Sequence, residues 1–97
     1  MVHWNLTSWM DEVVFATNLE IRQMAARAFQ RILERTPVRT GRLKAGWSLE
    51  LLESSGLVEA KIVNDVEYAV FVENGTPKMA PRHMVALTML ELEQGLL

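Results

Sequence analysis

The chain has 97 residues with a formal net charge of −2 at pH 7, and 49% of its residues are hydrophobic and 23% charged. This length and composition predict one globular domain over residues 1–97, and the slight negative charge argues against a dedicated DNA-binding domain, which is usually basic. Cysteine is absent and no apolar run reaches the roughly 18 residues that span a bilayer, so we expect no disulfides, a reducing cytoplasm during synthesis and no membrane partner.

The first predicted element is a long helix over residues 8–35. Thr7 or Ser8 can cap it, and Thr36-Pro37 ends it because the residue before a proline avoids helical geometry. At 1.5 Å per residue this helix would be about 40 Å long, which predicts that part of it projects or packs on another chain. Its apolar residues recur at spacings of 3, 4 and 7, as on one helix face. They are Met10, Val14, Ile21, Ala25, Ala28 and Ile32.

A β-hairpin is predicted next. Apolar and polar residues alternate from Leu43 to Leu51, which indicates a half-buried strand. Residues 54–56 read Ser-Ser-Gly, which is typical of a turn, and residues 57–63 supply the returning strand. Residues 66–73 fit either a strand or a helix by composition and spacing.

A loop and a last helix complete the chain. We expect Gly75 to adopt a positive φ and Thr76 to hydrogen-bond within this loop. Pro81 suits the first turn of the final helix, whose inner face is predicted to carry Met84, Val85, Thr88 and Leu92. The fold class is therefore α+β, with a long N-terminal helix and a C-terminal helix packed on a small antiparallel sheet. The predicted core contains Trp47, Leu49, Leu51, Val58, Ile62, Tyr68, Phe71, Phe29 and Ile32.

Charge is divided along the chain. Residues 22–44 contain seven basic residues and one acidic residue, whereas residues 50–73 contain six acidic residues and one basic residue. This division fits copies that meet head to tail, and it fits equally a basic helix packed beside its own acidic hairpin. Arg27, Arg31 and Arg35 form a stripe at spacings of four, for which a solvated flank is favoured over a binding stripe.

Catalytic and metal-binding patterns are missing from the sequence. His3 and His83 are its two histidines, and no second imidazole lies at metal-ligand spacing from either. Glu67 and Glu73 can be read as a carboxylate pair, but an exposed acidic loop is favoured. No glycine-rich phosphate loop occurs. We therefore expect a protein that is not an enzyme and that uses no cofactor or metal.

Tryptophan is frequent for so short a chain. Trp47 belongs to the alternating pattern and is assigned to the core. Trp4 and Trp9 lie near the N-terminus, where they either bury against a partner, which we favour, or fold back on the domain's own helix.

Three motifs occur in a fixed order. The first contains Thr36, Pro37, Thr40, Gly41, Leu43, Lys44, Gly46 and Trp47. The second contains Asn64, Tyr68, Ala69, Val72, Glu73, Gly75 and Thr76, and the third Pro81 and Arg82. Together they resemble the small neck and tail-completion proteins of long-tailed phages, a group of tail components related to the minor tail protein Z type. The chain departs from that pattern at Glu67, where proline is frequent, and at Asn74, where an aromatic residue is common.

The resemblance implies a structural role at the joint between capsid and tail. It implies a ring of copies, expected to be hexameric, that contacts neighbouring neck or tail proteins while genomic DNA passes through the lumen without sequence-specific binding. The location implied is the virion, and the bacterial cytoplasm during assembly. The alternative is a small DNA-binding protein that uses the arginine-rich segment 22–44; a small hydrolase or toxin is disfavoured by the missing chemistry.

Two sets of site residues follow from these patterns. The expected interface residues are Trp4, Trp9, Arg39, Arg42, Lys44, Glu67 and Glu73. The expected structural residues of the motifs are Thr40, Gly41, Trp47, Tyr68, Gly75 and Thr76.

Overall fold

The structure is a computed structural model, and it describes residues 2–6, 18–38, 41–54 and 56–95. Over these residues the fold is α+β, as predicted, with a three-stranded antiparallel sheet and four helices. The strands are β1 (Val2–Asn5), β2 (Trp47–Ser54) and β3 (Leu57–Asn64), and the helices are α1 (Asn18–Arg35), α2 (Arg42–Ala45), α3 (Ala69–Asn74) and α4 (Met84–Glu93).

The sheet has the order β1-β3-β2, so β3 is its central strand. Ile62 on β3 lies opposite Trp4 on one side and Leu49 on the other. β1 was not predicted, because a four-residue strand at a chain end carries too little alternation to be recognised. Its pairing with β3 gives the central strand hydrogen-bonded neighbours on both sides.

The main helix α1 packs across β2 and β3, and α4 packs beside α1. Ile21, Ala25, Ala28 and Ile32 are all buried, which confirms the predicted helix face in this part of the chain. Two of the four are alanines, and small side chains let the helix lie close to the sheet. The earlier part of the predicted helix, residues 8–17, lies outside the described residues.

The segment before the hairpin differs from prediction. The strand expected from Leu43 begins at Trp47, and residues 42–45 form α2 instead. Leu43 is buried while Ala45 is exposed, so the alternation that extended the strand prediction was fortuitous. The bend is set by Gly41, whose φ of 80° is unfavourable for residues with a side chain.

The later elements resolve an open choice and revise the core. Residues 69–74 are helical, and α4 buries the predicted Met84, Val85, Thr88 and Leu92, although it begins three residues after Pro81. Leu51 and Phe71 are 41% and 53% exposed, so their assignment to the core was wrong. Leu51 lies on the edge strand β2, and Phe71 faces away from the buried side of α3, which carries Ala69 and Glu73. The other predicted core residues are buried or half-buried; they are Trp47, Leu49, Val58, Ile62, Tyr68, Phe29 and Ile32.

Within the described ranges, none of the helices combines the length and the apolar character needed to cross a membrane.

Candidate interaction surface

The first motif joins the end of α1 to the start of β2. The indole nitrogen of Trp47 donates a hydrogen bond of 2.8 Å to the Thr36 hydroxyl, which itself donates to the carbonyl of Ile32 at 2.7 Å. Trp47 and Thr36 are 5% and 3% exposed. A hydrogen-bonded pair at this depth fixes the angle at which the chain leaves the helix, because either polar group would be costly to bury alone.

The second motif is tied to the first by Asn64, which is fully buried. Its side-chain amide donates to the carbonyl of Leu43 at 2.8 Å, and its side-chain oxygen accepts from the amide of Val66 at 3.0 Å. A Cβ at Gly46 would lie 2.6 Å from the Val66 side chain and 2.8 Å from the Asn64 oxygen. Glycine is therefore required here for close approach, and the two motifs meet at this point.

Glu73 is buried, which corrects its assignment to an exposed acidic loop and to an interface. Its carboxylate accepts hydrogen bonds from the backbone amides of Val85 at 2.9 Å and Ala86 at 3.2 Å. These amides belong to the first turn of α4, where unpaired N–H groups and the positive end of the helix dipole favour a negative charge. Glu73 thus caps α4, from which ten residues of the chain separate it, and its position on α3 brings its carboxylate to the start of α4.

The loop after α3 has the predicted geometry. Gly75 has φ 80° and ψ 173°, which confirms the expected positive φ. A Cβ at this position would lie 2.9 Å from the ring of Pro81. The Thr76 hydroxyl accepts from the amide of Lys78, and the backbones of Thr76 and Met79 bond to each other in both directions, as expected of a closed loop.

Arg42 and Glu67 pair within one chain. The guanidinium of Arg42 donates to both carboxylate oxygens of Glu67, at 3.1 and 2.8 Å, and lies 5.7 Å from the ring centre of Tyr68. A hydrogen bond from the backbone amide of Glu67 itself, and then the Arg42 guanidinium, lower the pKa of the Glu67 carboxyl. Both residues were expected at an interface between copies; in the structure they pair with each other within one chain. Lys44 is exposed, whereas Arg39 and Thr40 lie outside the described residues.

Two residues of the arginine stripe on α1, Arg31 and Arg35, are held by acidic residues of the same chain, whereas Arg27 donates to the backbone carbonyl of Gln23 at 3.4 Å. Glu91 on α4 bonds to Arg31 at 3.1 Å and also to Arg35, which donates to Thr88 at 3.0 Å. Hydrogen bonds from Arg31, and secondly from Arg35, lower the pKa of the Glu91 carboxyl. The pKa of Arg31 is raised by its hydrogen bonds to Glu91, and secondly to Glu34. This internal pairing reduces the positive charge that the stripe presents to a phosphate backbone, so it counts against the DNA-binding alternative.

Trp4 is 4% exposed and belongs to the core, which corrects its assignment to a partner interface. Its strand, β1, was unrecognised in the sequence, and pairing with β3 turns the indole inward. Trp9 lies outside the described residues, so its assignment to an interface stays a prediction.

An open apolar groove of about 740 Å³ lies where the three motifs meet. Its walls are Pro37, Leu43, Tyr68, Phe71, Met79 and Pro81, with Arg82 at one side. Phe71 and Met79 are 53% and 41% exposed there. Sequence reasoning missed this groove because it placed Phe71 in the core. The only available signal was that Phe71 falls two residues from both Ala69 and Glu73, and so on the opposite side of a helix.

The groove has the character of a binding surface for apolar side chains. Its walls supply aromatic rings, aliphatic groups and one guanidinium, a mixture enriched at protein interfaces. No cluster of three or more histidine, cysteine, aspartate or glutamate residues with metal-binding geometry occurs in the part of the chain that the structure describes.

Comparison with known proteins gives one result that bears on family. No curated protein and no solved structure matches the chain significantly. The sequence profile of the family described as "Bacteriophage HK97-gp10, putative tail-component" matches residues 13–75. That match covers well over half of the chain, including α1, both strands of the hairpin and α3. The protein therefore belongs to the HK97-gp10-like family of bacteriophage tail components.

Proposed function

We propose that this tail component is a structural subunit at the joint between capsid and tail, where its copies form a ring that completes or connects the tail. The observation that carries the proposal is the exposed apolar groove built by the three motifs. A groove with Phe71 and Met79 at its surface is suited to contact another protein in the assembled particle.

The roles of the motif residues support a structural function over a catalytic one. Thr36, Trp47, Asn64 and Glu73 are buried and bond to one another or to backbone groups. In a catalytic site, titratable groups would be expected to converge on the cleft. Here the motif side chains hold three loops in place, and the groove is the product of that arrangement.

A ring fits the distribution of surface charge. Arg82 lines the groove and Lys44 and Lys78 are exposed sequence neighbours of groove residues, whereas Glu50, Glu53 and Glu59 belong to the hairpin strands. Contacts between unlike ends of identical copies close into rings when the rotation permits. Exposed ion pairs contribute about 0–1 kcal/mol each, so charge would set the register of neighbours and apolar burial would supply most of the affinity. Genomic DNA would pass through such a ring without sequence-specific contacts.

The test uses the phage or prophage that carries the gene. When the gene is inactivated, electron microscopy should show filled capsids and separate tails in place of joined particles, and expression of the wild-type protein in trans should restore them. Undiminished numbers of infectious tailed particles without the protein would refute the proposal.

A matched pair of variants links that phenotype to the groove. Phe71 and Leu52 are each 53% exposed, but only Phe71 lines the groove. Complementation with Phe71→Glu should fail, while Leu52→Glu, on β2, should restore joined particles. If the two variants restored joined particles equally well, the groove would not be required for assembly.

A further inference from the structure

The groove has one cationic wall residue, and two exposed lysines are sequence neighbours of wall residues. Arg82 lines it, Lys78 adjoins the wall residue Met79, and Lys44 adjoins the wall residue Leu43. Among the residues that the structure describes, none forms an ion pair with these three cations. The nearby Glu67 is already held by Arg42. An apolar groove with an unpaired arginine in its wall favours an apolar segment that carries carboxylates and no cations.

Residues 7–17 of this chain have that chemistry. They read TSWMDEVVFAT, with Trp9, Met10, two valines and Phe15 as apolar groups, Asp11 and Glu12 as acids, and no basic residue. The groove and this segment are therefore complementary both in charge and in apolar character.

The groove lies far from Asn18, the residue at which segment 7–17 joins α1. Pro37 follows the end of α1, and Leu43 precedes β2, so the groove lies at the end of the sheet where β2 starts. Segment 7–17 continues into Asn18 at the other end of α1, where Arg22 bonds to Glu53 near the hairpin turn. The eighteen residues of α1 separate these ends by roughly 27 Å.

Chain length prevents the segment from filling the groove of its own copy. The link from Leu6 to Asn18 spans about 40 Å at full extension. The distance from the groove to Asn18 uses about 27 Å of that extended length. Leu6 directly follows β1. The register of β1 runs from Asn64, at the groove end of the sheet, to Lys61, so the distance from Leu6 to the groove is roughly another 13 Å. No length remains for residues that would lie in the groove.

We infer that the groove receives residues 7–17 of a neighbouring copy, with Trp9 as the apolar anchor and Asp11 and Glu12 beside Arg82. The contact joins unlike ends of two copies, which is the head-to-tail arrangement that closes into rings. This inference rests on the proposed ring and names the surfaces that form it.

The test mixes two full-length variants, each with one end disabled. Trp9→Ala keeps the groove and weakens the segment; Phe71→Glu keeps the segment and blocks the groove. Sedimentation velocity up to the highest soluble concentration should show larger assemblies for wild type and for Leu52→Glu, and monomers for each disabled variant alone. Their mixture should form a 1:1 dimer that grows no further, because its two remaining ends are both disabled.

Several outcomes would overturn the inference. The first is that the mixture is no more associated than its two components. The others are that a disabled variant assembles like wild type, or that the wild-type protein is monomeric. Thermal unfolding confirms that each variant is folded, and Met79→Glu, on the same groove, replaces Phe71→Glu if that variant is not.

A charge experiment tests the orientation of the segment. Arg82→Glu should weaken association about tenfold, and a partner copy that carries Asp11→Arg should restore the association. If association is not restored, the placement of the acids is contradicted. If the mixture of Trp9→Ala and Phe71→Glu does not associate, but normal joined particles contain the protein, this contact alone is refuted. If joined particles form without the protein, the proposed function is refuted.

Discussion

The indole of Trp47 donates a 2.8 Å hydrogen bond to the hydroxyl of Thr36, and this single contact fixes the end of α1 to the start of β2. Both residues are buried, and each belongs to the first of the three sequence motifs. The groove wall at Pro37 follows directly in the chain. The contact is therefore a structural support for the binding surface.

Replacement of Trp47 should test that support. Trp47→Ala should lower the free energy of unfolding by about 3–5 kcal/mol, because a large buried side chain is lost and a cavity remains. Trp47→Phe should cost less, since most of the apolar area stays while the bond to Thr36 is lost. Leu52→Ala, at an exposed position, should change it by about 0.5 kcal/mol or less. Denaturant unfolding measures all three, and an unchanged Trp47→Ala midpoint would contradict the assigned core.

Glu73 should stabilise the protein through α4. Glu73→Ala leaves the buried amide of Val85 without its acceptor, which should cost about 1–3 kcal/mol. Glu73→Gln retains an acceptor oxygen and should cost less. Glu93→Ala is the control, because that exposed carboxylate lies at the other end of the same helix, where the dipole does not favour it. Equal unfolding midpoints for Glu73→Ala and Glu93→Ala would contradict the capping role.

Two glycines with nearly the same φ form a matched pair. Gly75 and Gly56 have φ values of 80° and 77°, but an added Cβ meets Pro81 at Gly75 and no atom within 4 Å at Gly56. Gly56→Ala should cost about 1–2 kcal/mol from backbone strain alone. Gly75→Ala adds the collision, so its loss of unfolding free energy should be clearly larger. Thermal unfolding compares them, and a smaller loss at Gly75 would rule out the crowded loop.

The Glu91 cluster predicts a pH dependence. The pKa of the Glu91 carboxyl in the folded protein is lowered from its ordinary value of 4.5, by Arg31 first and Arg35 second. The unfolded chain then binds a proton more readily, so the stabilisation from this carboxyl is present above about pH 4.5 and is lost as the pH falls through the lowered pKa. Glu91→Gln should flatten the decline of unfolding free energy with acid in that range.

The control for this experiment is Leu90→Gln, which introduces the same side chain at an exposed position of the same helix without removing a carboxylate. Its decline with acid should match that of the wild-type protein. If Glu91→Gln shows the same decline as well, the ion pairs with Arg31 and Arg35 do not stabilise the folded state.

Periodicity predicted the parts of the fold that depend on one face of a regular element. The buried faces of α1 and α4 follow from spacing, and Gly75 was identified because an Asn-Gly pair before a proline favours a positive φ. The strand β1 was missed because its stability comes from pairing with β3, which the local sequence does not encode. At residues 42–45 the positive φ of Gly41 precedes a short helix, which the alternating pattern did not reveal.

The candidate site was predicted less well, because its residues act through distant partners. Glu73 looked like an exposed acid in its local sequence, yet it caps a helix that begins beyond the next loop. Arg42 and Glu67 were both expected at an interface between copies, but spacing in the chain does not reveal whether such residues meet within one copy or between two. The groove itself became visible only once three separate loops were placed together.

We propose that this tail component occupies the joint between capsid and tail as a ring. Reconstruction of that joint by electron cryomicroscopy of purified tailed particles tests it most directly. We expect a ring whose subunits each contain the three-stranded sheet crossed by α1, with the groove of one copy turned toward the next. A complete joint in which no subunit has this fold would contradict it.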